Sequence, residues 1–342
     1  MVPEETSAPR VGFIGLGQMG SAHVSRLHQQ GVPLVVNNRS KEKAEGSLGL
    51  GVDWADSPAE VGKQATAHIV FLMLTDSKAA ESVCFGRKGL ARTLPAGSVV
   101  ANMSTITPSE GRRLAERWNE RNVMYVDCPV GGSDGAARDG KVLFFVGGET
   151  ADIERIRPYL EKMGRGIEII GPVGSGNAMK LVNNLMTIGQ VGLIAEALVF
   201  GEGLGIERTR LLDLLAKGGG SSAMLDNKRA LFEKAEFEPH FRLALARKDL
   251  GLIESTAKQT GRSVRVVHEV RRLVDEALAQ GLGDRDFAVV YEAARARAVA
   301  PGSAAPVPEP AAASFGIGER VLSEGPAPPE GGTGDDGTPP PS

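Results

Sequence analysis

The stretch Val11-Gly-Phe-Ile-Gly15-Leu-Gly17-Gln-Met-Gly20 decides the fold of the first half of the chain. A short apolar run enters a Gly15-x-Gly17-x-x-Gly20 turn, and residues 18–30 continue as a helical segment. Glycines at that spacing let the backbone approach a pyrophosphate, which rests against the positive end of the following helix. The spacing alone is not specific; the strand before it and the helix after it give it meaning. Working outward, residues 33–37, 68–74, 98–102, 123–127, 142–146 and 166–170 are further apolar runs of strand length. Helical segments at 77–85 and 107–121 fall between them. Strands alternating with helices predict a parallel, doubly wound α/β sheet, which the last two runs extend.

After Gly174 the pattern changes. Residues 177–204 read as one long helix, and 207–216, 222–234, 241–260, 264–280 and 286–298 also read as helical, with no strand-like run among them. The expected organisation is a flexible N-terminus (1–9), a Rossmann dinucleotide-binding domain (10–173), an all-helical substrate and dimerisation domain (174–300) and a tail (301–342). Ten of the 20 prolines fall in that tail, a composition that cannot bury enough apolar area to fold, so disorder is expected there.

Composition narrows the function classes. A hydrophobic content of 42% and a charged content of 24% are globular values, and 342 residues favour two domains. The net charge of −3, without a basic run, argues against nucleic acid as a partner. No run of 18 apolar residues occurs, so no membrane span is expected. The first ten residues lack the apolar core of a secretory signal. Two cysteines, Cys84 and Cys128, make no disulfide framework, and a reducing cytoplasm is the expected compartment. The histidines at 23, 28, 68, 240 and 268 show no metal-ligand spacing, so no metal is expected.

Two local patterns carry chemistry. The second strand ends in Asn37-Asn38-Arg39-Ser40, where an acid would bind the free ribose 2′-hydroxyl of NAD. Arg39 instead pairs with a 2′-phosphate, with Asn38 and Ser40 adding hydrogen bonds, so NADP is expected and NAD is the alternative. The second pattern is Gly174-Ser-Gly-Asn-Ala-Met-Lys180-Leu-Val-Asn-Asn184. Asn183 and Asn184 follow the lysine at three and four residues, spacings that gather side chains on one helix face. A lysine held by amides in a cleft can move a proton, provided burial or neighbours lower its pKa.

These motifs occur in one order with Met73-Leu-Thr-Asp76, Asn102-Met-Ser-Thr105, Asp127-Cys-Pro-Val-Gly-Gly132 and Lys248-Asp249-Leu250. Over about residues 10–298 the chain resembles the β-hydroxyacid dehydrogenase family, which includes 3-hydroxyisobutyrate dehydrogenases, tartronate semialdehyde reductases and short-chain semialdehyde reductases. The resemblance implies an oxidoreductase acting on a 3-hydroxyacid and its semialdehyde. It implies Lys180 as general acid/base, with Asn184 and Asn183 holding the lysine and substrate. Gly15, Leu16, Gly17, Gln18, Met19 and Gly20, with Met73, Leu74, Ser104 and Thr105, would line the cofactor. Lys248 would reach back to the cofactor, oriented by Asp249. Gly131, Gly132 and Ser133 would bind the substrate carboxylate. One departure is visible: the family usually places serine where this chain has Gly131, so the hydroxyl contact to the carboxylate is missing there. The resemblance also implies a homodimer or homotetramer.

Other readings stay open. A 6-phosphogluconate dehydrogenase carries histidine three residues before the lysine, where this chain has Asn177. Imine reductases of the related group replace the lysine, and non-catalytic NADP-binding scaffolds typically lose it.

Overall fold

The computed structural model describes residues 8–297. The expected flexible segment at 1–9 lies mostly outside them, and the expected tail at 301–342 lies wholly outside. Nine strands form one sheet among the described residues. They are β1 (Val11–Ile14), β2 (Leu34–Asn37), β3 (Asp53–Trp54), β4 (Ile69–Leu72), β5 (Val99–Asn102), β6 (Met124–Asp127), β7 (Val130–Gly131), β8 (Val142–Gly147) and β9 (Gly164–Gly171). The order runs β3-β2-β1-β4-β5-β6-β8-β7, with β9 paired to β8. Strands β1 to β6 pair in parallel in the order of a dinucleotide-binding sheet.

The sheet does not stay parallel to its end. Strand β8 runs antiparallel to β6 and β7, while β9 returns parallel to β8. The expectation that residues 142–146 and 166–170 extend a parallel sheet is therefore corrected. Direction is set by the β7–β8 connection, whose ten residues (132–141) are fewer than the crossover a parallel pair needs.

Helices α1 (Gln18–Gln29), α2 (Glu45–Leu48), α3 (Pro58–Gln64), α4 (Ser77–Phe85), α5 (Pro108–Asn119), α6 (Asp134–Arg138) and α7 (Thr150–Met163) are interleaved with the strands. Alternation within each strand feeds two separate cores. Ile69 and Phe71 of β4 join a cluster with Phe13, Val99 and Phe144, whereas Val70 and Leu72 join Ile14, Val100 and Trp118. Both faces are covered, which is why the strands read as continuous apolar runs.

From Ser175 onward the described elements are helical: α8 (Ser175–Gly203), α9 (Arg208–Lys217), α10 (Ala223–Lys234), α11 (Leu243–Gln259), α12 (Arg265–Ala279) and α13 (Val290–Ala296), with a 3₁₀ turn at Phe287–Val289. They enclose a third core, with Ile188, Val191, Leu198, Leu250, Leu273 and Tyr291 at its centre. At 29 residues, α8 is about 43 Å long. It is long and apolar enough to cross a membrane by length and composition. The count of uninterrupted apolar residues missed this because mean hydropathy tolerates scattered polar ones. One side of α8 nevertheless belongs to the helical core, where it lies close to its neighbours. A methyl added at Gly201 would stand 2.6 Å from Leu211, and one at Gly192 would stand 3.1 Å from Val270.

The opposite side of α8 is bare. Val182, Met186, Leu193, Phe200 and Leu204 follow at spacings of four, seven, seven and four, and all are exposed, with Phe200 at 70%. Such spacing places them in one stripe along the helix. Both cysteines are buried free thiols.

Candidate active site

The glycine turn after β1 is built from close approach. Gly15 has φ +102°, and a Cβ there would come within 2.2 Å of the Met73 carbonyl oxygen. A Cβ at Gly20 would stand 1.9 Å from the Gly15 oxygen, so the first turn of α1 lies directly on the loop. Gly17, by contrast, is exposed and would meet nothing within 4 Å. No side chain caps α1. A bare backbone at an uncapped helix N-terminus fits a pyrophosphate.

Asn38 braces this turn. Its Oδ1 accepts from Leu16 N at 3.0 Å, and its Nδ2 donates to Ser40 O at 2.8 Å. The amide is thus engaged inside the protein, and Arg39, exposed beside it, is the charged group facing outward. Gln18 is also engaged: its Nε2 donates to Pro239 O at 2.9 Å, joining the glycine turn to the helical half. Met19 is half-buried against the sheet core.

The loops after β4 and β5 converge on one ammonium. Lys248 Nζ on α11 donates to Thr75 O at 3.0 Å and to Thr105 O at 2.9 Å. Each loop is stiffened by the helix that follows it. Asp76 caps α4 by accepting from Ala79 N, and Thr107 with Glu110 forms a reciprocal capping box on α5. Ser104 is buried, and its Oγ accepts from Leu74 N at 2.9 Å. Lys248 therefore reaches the loops that carry Met73, Leu74, Ser104 and Thr105.

Asp249, the next residue, faces the long helix. Its Oδ2 accepts from Asn184 Nδ2 at 2.6 Å, and its Oδ1 lies 2.9 Å from Lys248 Nζ. That second contact is electrostatic, because Oδ1 lacks an aligned hydrogen bond. Asn184 thus holds Asp249, where the resemblance implied that it holds the lysine. Asn183 donates to Asn184 Oδ1 at 3.2 Å and lies further out. Lys180 stands one turn before Asn184 on α8, half-buried. Burial pulls its pKa down to about 8; Asp249 opposes that fall and Lys248 adds to it. Desolvation is the largest of the three, so the fall wins.

The position of α8 is set from the sheet. Asp127, at the C-terminal end of β6, is buried, and its Oδ1 accepts from Gly174 N at 2.7 Å. Its Oδ2 accepts from Asn177 N at 2.7 Å and from Asn177 Nδ2 at 2.9 Å. The carboxylate caps the helix across 47 residues of chain. Burial pushes its carboxyl up to about 6 against the pull of these donors. This residue is absent from the functional set read from the sequence. An acid ending a strand beside Cys-Pro was its only local signal.

The 131–133 loop ends the sheet. Gly132 has φ +141°, and Ser133 caps α6 by accepting from Ala136 N at 3.2 Å. Beside it, Asp134 is buried and pairs with Arg138 at 2.6 Å, and His240 of the helical half approaches it at 3.8 Å. His23 on α1 takes no part in proton chemistry: burial pulls it down to about 3, and neither ring nitrogen has a partner. No group of three or more metal-ligating side chains converges among the described residues.

Comparison with known proteins covers the same span. Residues 10–171 match the family described as the NAD binding domain of 6-phosphogluconate dehydrogenase. Residues 174–294 match that described as the NAD-binding of NADP-dependent 3-hydroxyisobutyrate dehydrogenase. The chain is 31% identical over 284 residues to the 2-hydroxy-3-oxopropionate reductase of Escherichia coli (strain K12), a match covering 83% of this chain and 96% of that one. It is 30% identical over 293 residues to the mitochondrial 3-hydroxyisobutyrate dehydrogenase of Mus musculus, covering 82% and 86% of the two chains. Among solved structures it is similar to Psf3 in complex with NADP+ and 2-OPP, with a TM-score of 0.75 and 26% identity over 82% of this chain and 98% of that one.

The raised carboxyl of Asp127 has a signed consequence. A group whose pKa is higher folded than unfolded adds stability below its unfolded value, and that stability is lost as pH rises through the folded value. Between pH about 4 and about 6, the unfolding free energy of wild type should therefore fall relative to Asp127→Asn, by on the order of 2–3 kcal/mol at 1.36 kcal/mol per unit. Denaturant melts of both proteins at stepped pH measure it; parallel curves would contradict the assignment.

Proposed function

The chain belongs to the β-hydroxyacid dehydrogenase family of nicotinamide-dependent oxidoreductases, and we propose that it is an NADPH-linked reductase interconverting a short 3-hydroxyacid and its semialdehyde. One arrangement carries this reading: Lys180 stands one turn before Asn184, whose amide holds Asp249 beside Lys248, and burial draws the lysine down to about 8, so its proton is exchangeable near neutrality. A surface lysine on an amphipathic helix would keep an ordinary value.

The glycine turn and the N-terminus of α1 would hold the pyrophosphate, and the loops carrying Met73, Leu74, Ser104 and Thr105 would hold the nicotinamide ribose. Reduced nicotinamide supplies a hydride when bound. Lys180 gives its proton to the carbonyl oxygen as the alkoxide develops, and takes one from the hydroxyl in the reverse direction. Asn184 fixes Asp249, and Asp249 with Lys248 sets the field around Lys180. Lys248 also ties α11 to both cofactor-side loops, which keeps the lysine at a constant distance from them. Main-chain N–H groups at the Gly132 and Ser133 end of the 131–133 loop receive the carboxylate, since that of Gly131 pairs with Leu143 in the β7–β8 ladder.

NADP is proposed over NAD because Arg39 stands where a carboxylate would meet a free 2′-hydroxyl, and no acid pairs with it among the described residues. A homodimer or homotetramer is proposed because the Val182–Leu204 stripe is apolar and exposed along one side of α8.

Four measurements test these readings. Lys180→Ala should lower kcat by about 10²–10⁴-fold while NADPH still binds. In wild type, reduction should slow and oxidation should quicken as pH rises through about 8, because the lysine loses its proton there. Unchanged turnover in the variant would end the mechanism. Arg39→Asp should invert the cofactor preference in kcat/KM; a wild type that prefers NAD would refute the Arg39 reading. Sedimentation velocity should show an oligomer that Leu193→Glu with Phe200→Glu converts to a lighter species, and a monomeric wild type would remove the interface.

A further inference from the structure

Two buried charges of the helical half lie behind the contact that Gln18 makes with it. Asp286 is fully buried, and Lys228 is 6% exposed. Lys228 Nζ on α10 donates to Asp286 Oδ2 at 2.8 Å across 58 residues of chain, and the same ammonium lies 4.7 Å from the centre of the Phe287 ring. Burying both charges is costly, and apolar residues of equal volume often serve a core as well. Stability alone does not account for the pair.

The carboxylate has a second task. Its Oδ2 also accepts from His240 N at 3.1 Å and from Phe241 N at 3.0 Å, while its Oδ1 accepts from Ala288 N at 3.0 Å. The Asp286 N–H donates in return to Phe237 O at 3.0 Å. Residues 237–241, in the link between α10 and α11, are thus gathered around one buried acid. The Pro239 carbonyl and the His240 N–H are the two ends of a single peptide unit. That unit is trans and planar, so its C=O and N–H point in opposite directions. Asp286 draws the N–H inward, which turns the carbonyl outward, and there it accepts from Gln18 Nε2 at 2.9 Å. Gln18 opens α1 directly after Gly17. Rotation of this one peptide would break both bonds at once.

We infer that Lys228 and Asp286 are positioning residues for the cofactor: through the Pro239–His240 peptide and Gln18 they hold the uncapped start of α1 against the helical half. The ammonium balances the charge of the buried carboxylate, which leaves the same oxygen able to hold two main-chain donors by charge-assisted bonds. The relay ends at the glycine turn, which meets the part common to NAD and NADP, so both cofactors should respond alike. It rests on the dinucleotide lying at that turn, and not on the substrate proposed above.

The test is a double-mutant cycle of wild type, Gln18→Ala, Lys228→Met and the double variant. Each is read by the dissociation constants of NADPH and NADH, from fluorescence titration, and by melting temperature. Gln18→Ala should weaken both cofactors by about two- to tenfold, the worth of one hydrogen bond. Its melting temperature should hold, since the side chain is exposed. Lys228→Met should melt lower and weaken both cofactors over the same range. In the Gln18→Ala background the lysine substitution should lower the melting temperature as before, yet cost less than about twofold further in affinity, because the relay is already cut. A merely structural pair would give additive losses in both quantities. Additive losses of affinity, a loss confined to one cofactor, or a Gln18→Ala protein that binds both cofactors like wild type would each overturn the relay. If Lys228→Met does not fold, Lys228→Gln, which keeps a donor for the carboxylate, completes the cycle with the same coupling expected. Binding is read without turnover, so failure of the proposed reaction leaves the cycle to decide the relay.

Discussion

The carboxylate of Asp127 joins the two halves of the molecule, and the site depends on that join. It ends β6 and receives the N–H groups of Gly174 and Asn177, which open α8. A helix N-terminus leaves its first N–H groups without intrahelical partners, and an anion there also meets the positive end of the helix dipole. Hydrogen bonds to a charged acceptor contribute about 1.5–3 kcal/mol each, more than a neutral cap. The sheet therefore fixes where α8 begins, and Lys180 follows six residues after Gly174 at a constant height above the strand ends.

The second requirement is electrostatic. A lysine next to a buried carboxylate would ordinarily be held in its charged form. Here Asp249 is shared: Asn184 takes one oxygen and Lys248 lies against the other. Lys248 is in turn anchored on two main-chain carbonyls of the nucleotide-binding half. The same ammonium thus braces the cleft and weakens the field that would raise Lys180. Structural and chemical roles meet in one side chain, and either alone would underdescribe it.

Much of this was legible in the sequence, for identifiable reasons. Strands buried on both faces leave continuous apolar runs, so β1, β2, β4, β5, β6 and β8 stand out, as does the long periodicity of α8; β9 is half-buried or exposed along its length and stands out only by its three isoleucines. Two-residue strands such as β3 and β7 leave no pattern, and α7 carries Pro158 in its interior, which mutes a helical reading. Strand direction is not written in an apolar run, which is why β8 was expected to be parallel. In the site, Lys180 and the glycine turn are local motifs. The cap from Asp127 spans 47 residues, and the bridges from Lys248 to Thr75 and Thr105 span 173 and 143. The close approach of the Phe145 ring to Gly131 exists only once two strands are paired. Such contacts are properties of the fold, and no window of sequence contains them.

The close packing of α8 at its far end has a consequence for the near end. Gly201 lies against Leu211, 21 residues from Lys180, which is about 32 Å along a straight helix. The rod is held at both ends, by Leu211 against Gly201 and by Asp127 at its first turn. A tilt of about 5° imposed by a bulkier residue at 201 amounts to about 3 Å over that length, the width of a hydrogen bond, and the Asp127 cap has to resist it. The proton transfer proposed for Lys180 tolerates far less than that. Positions that never approach a ligand, at the opposite pole of the helical half, thus carry a mechanical advantage over the reacting centre.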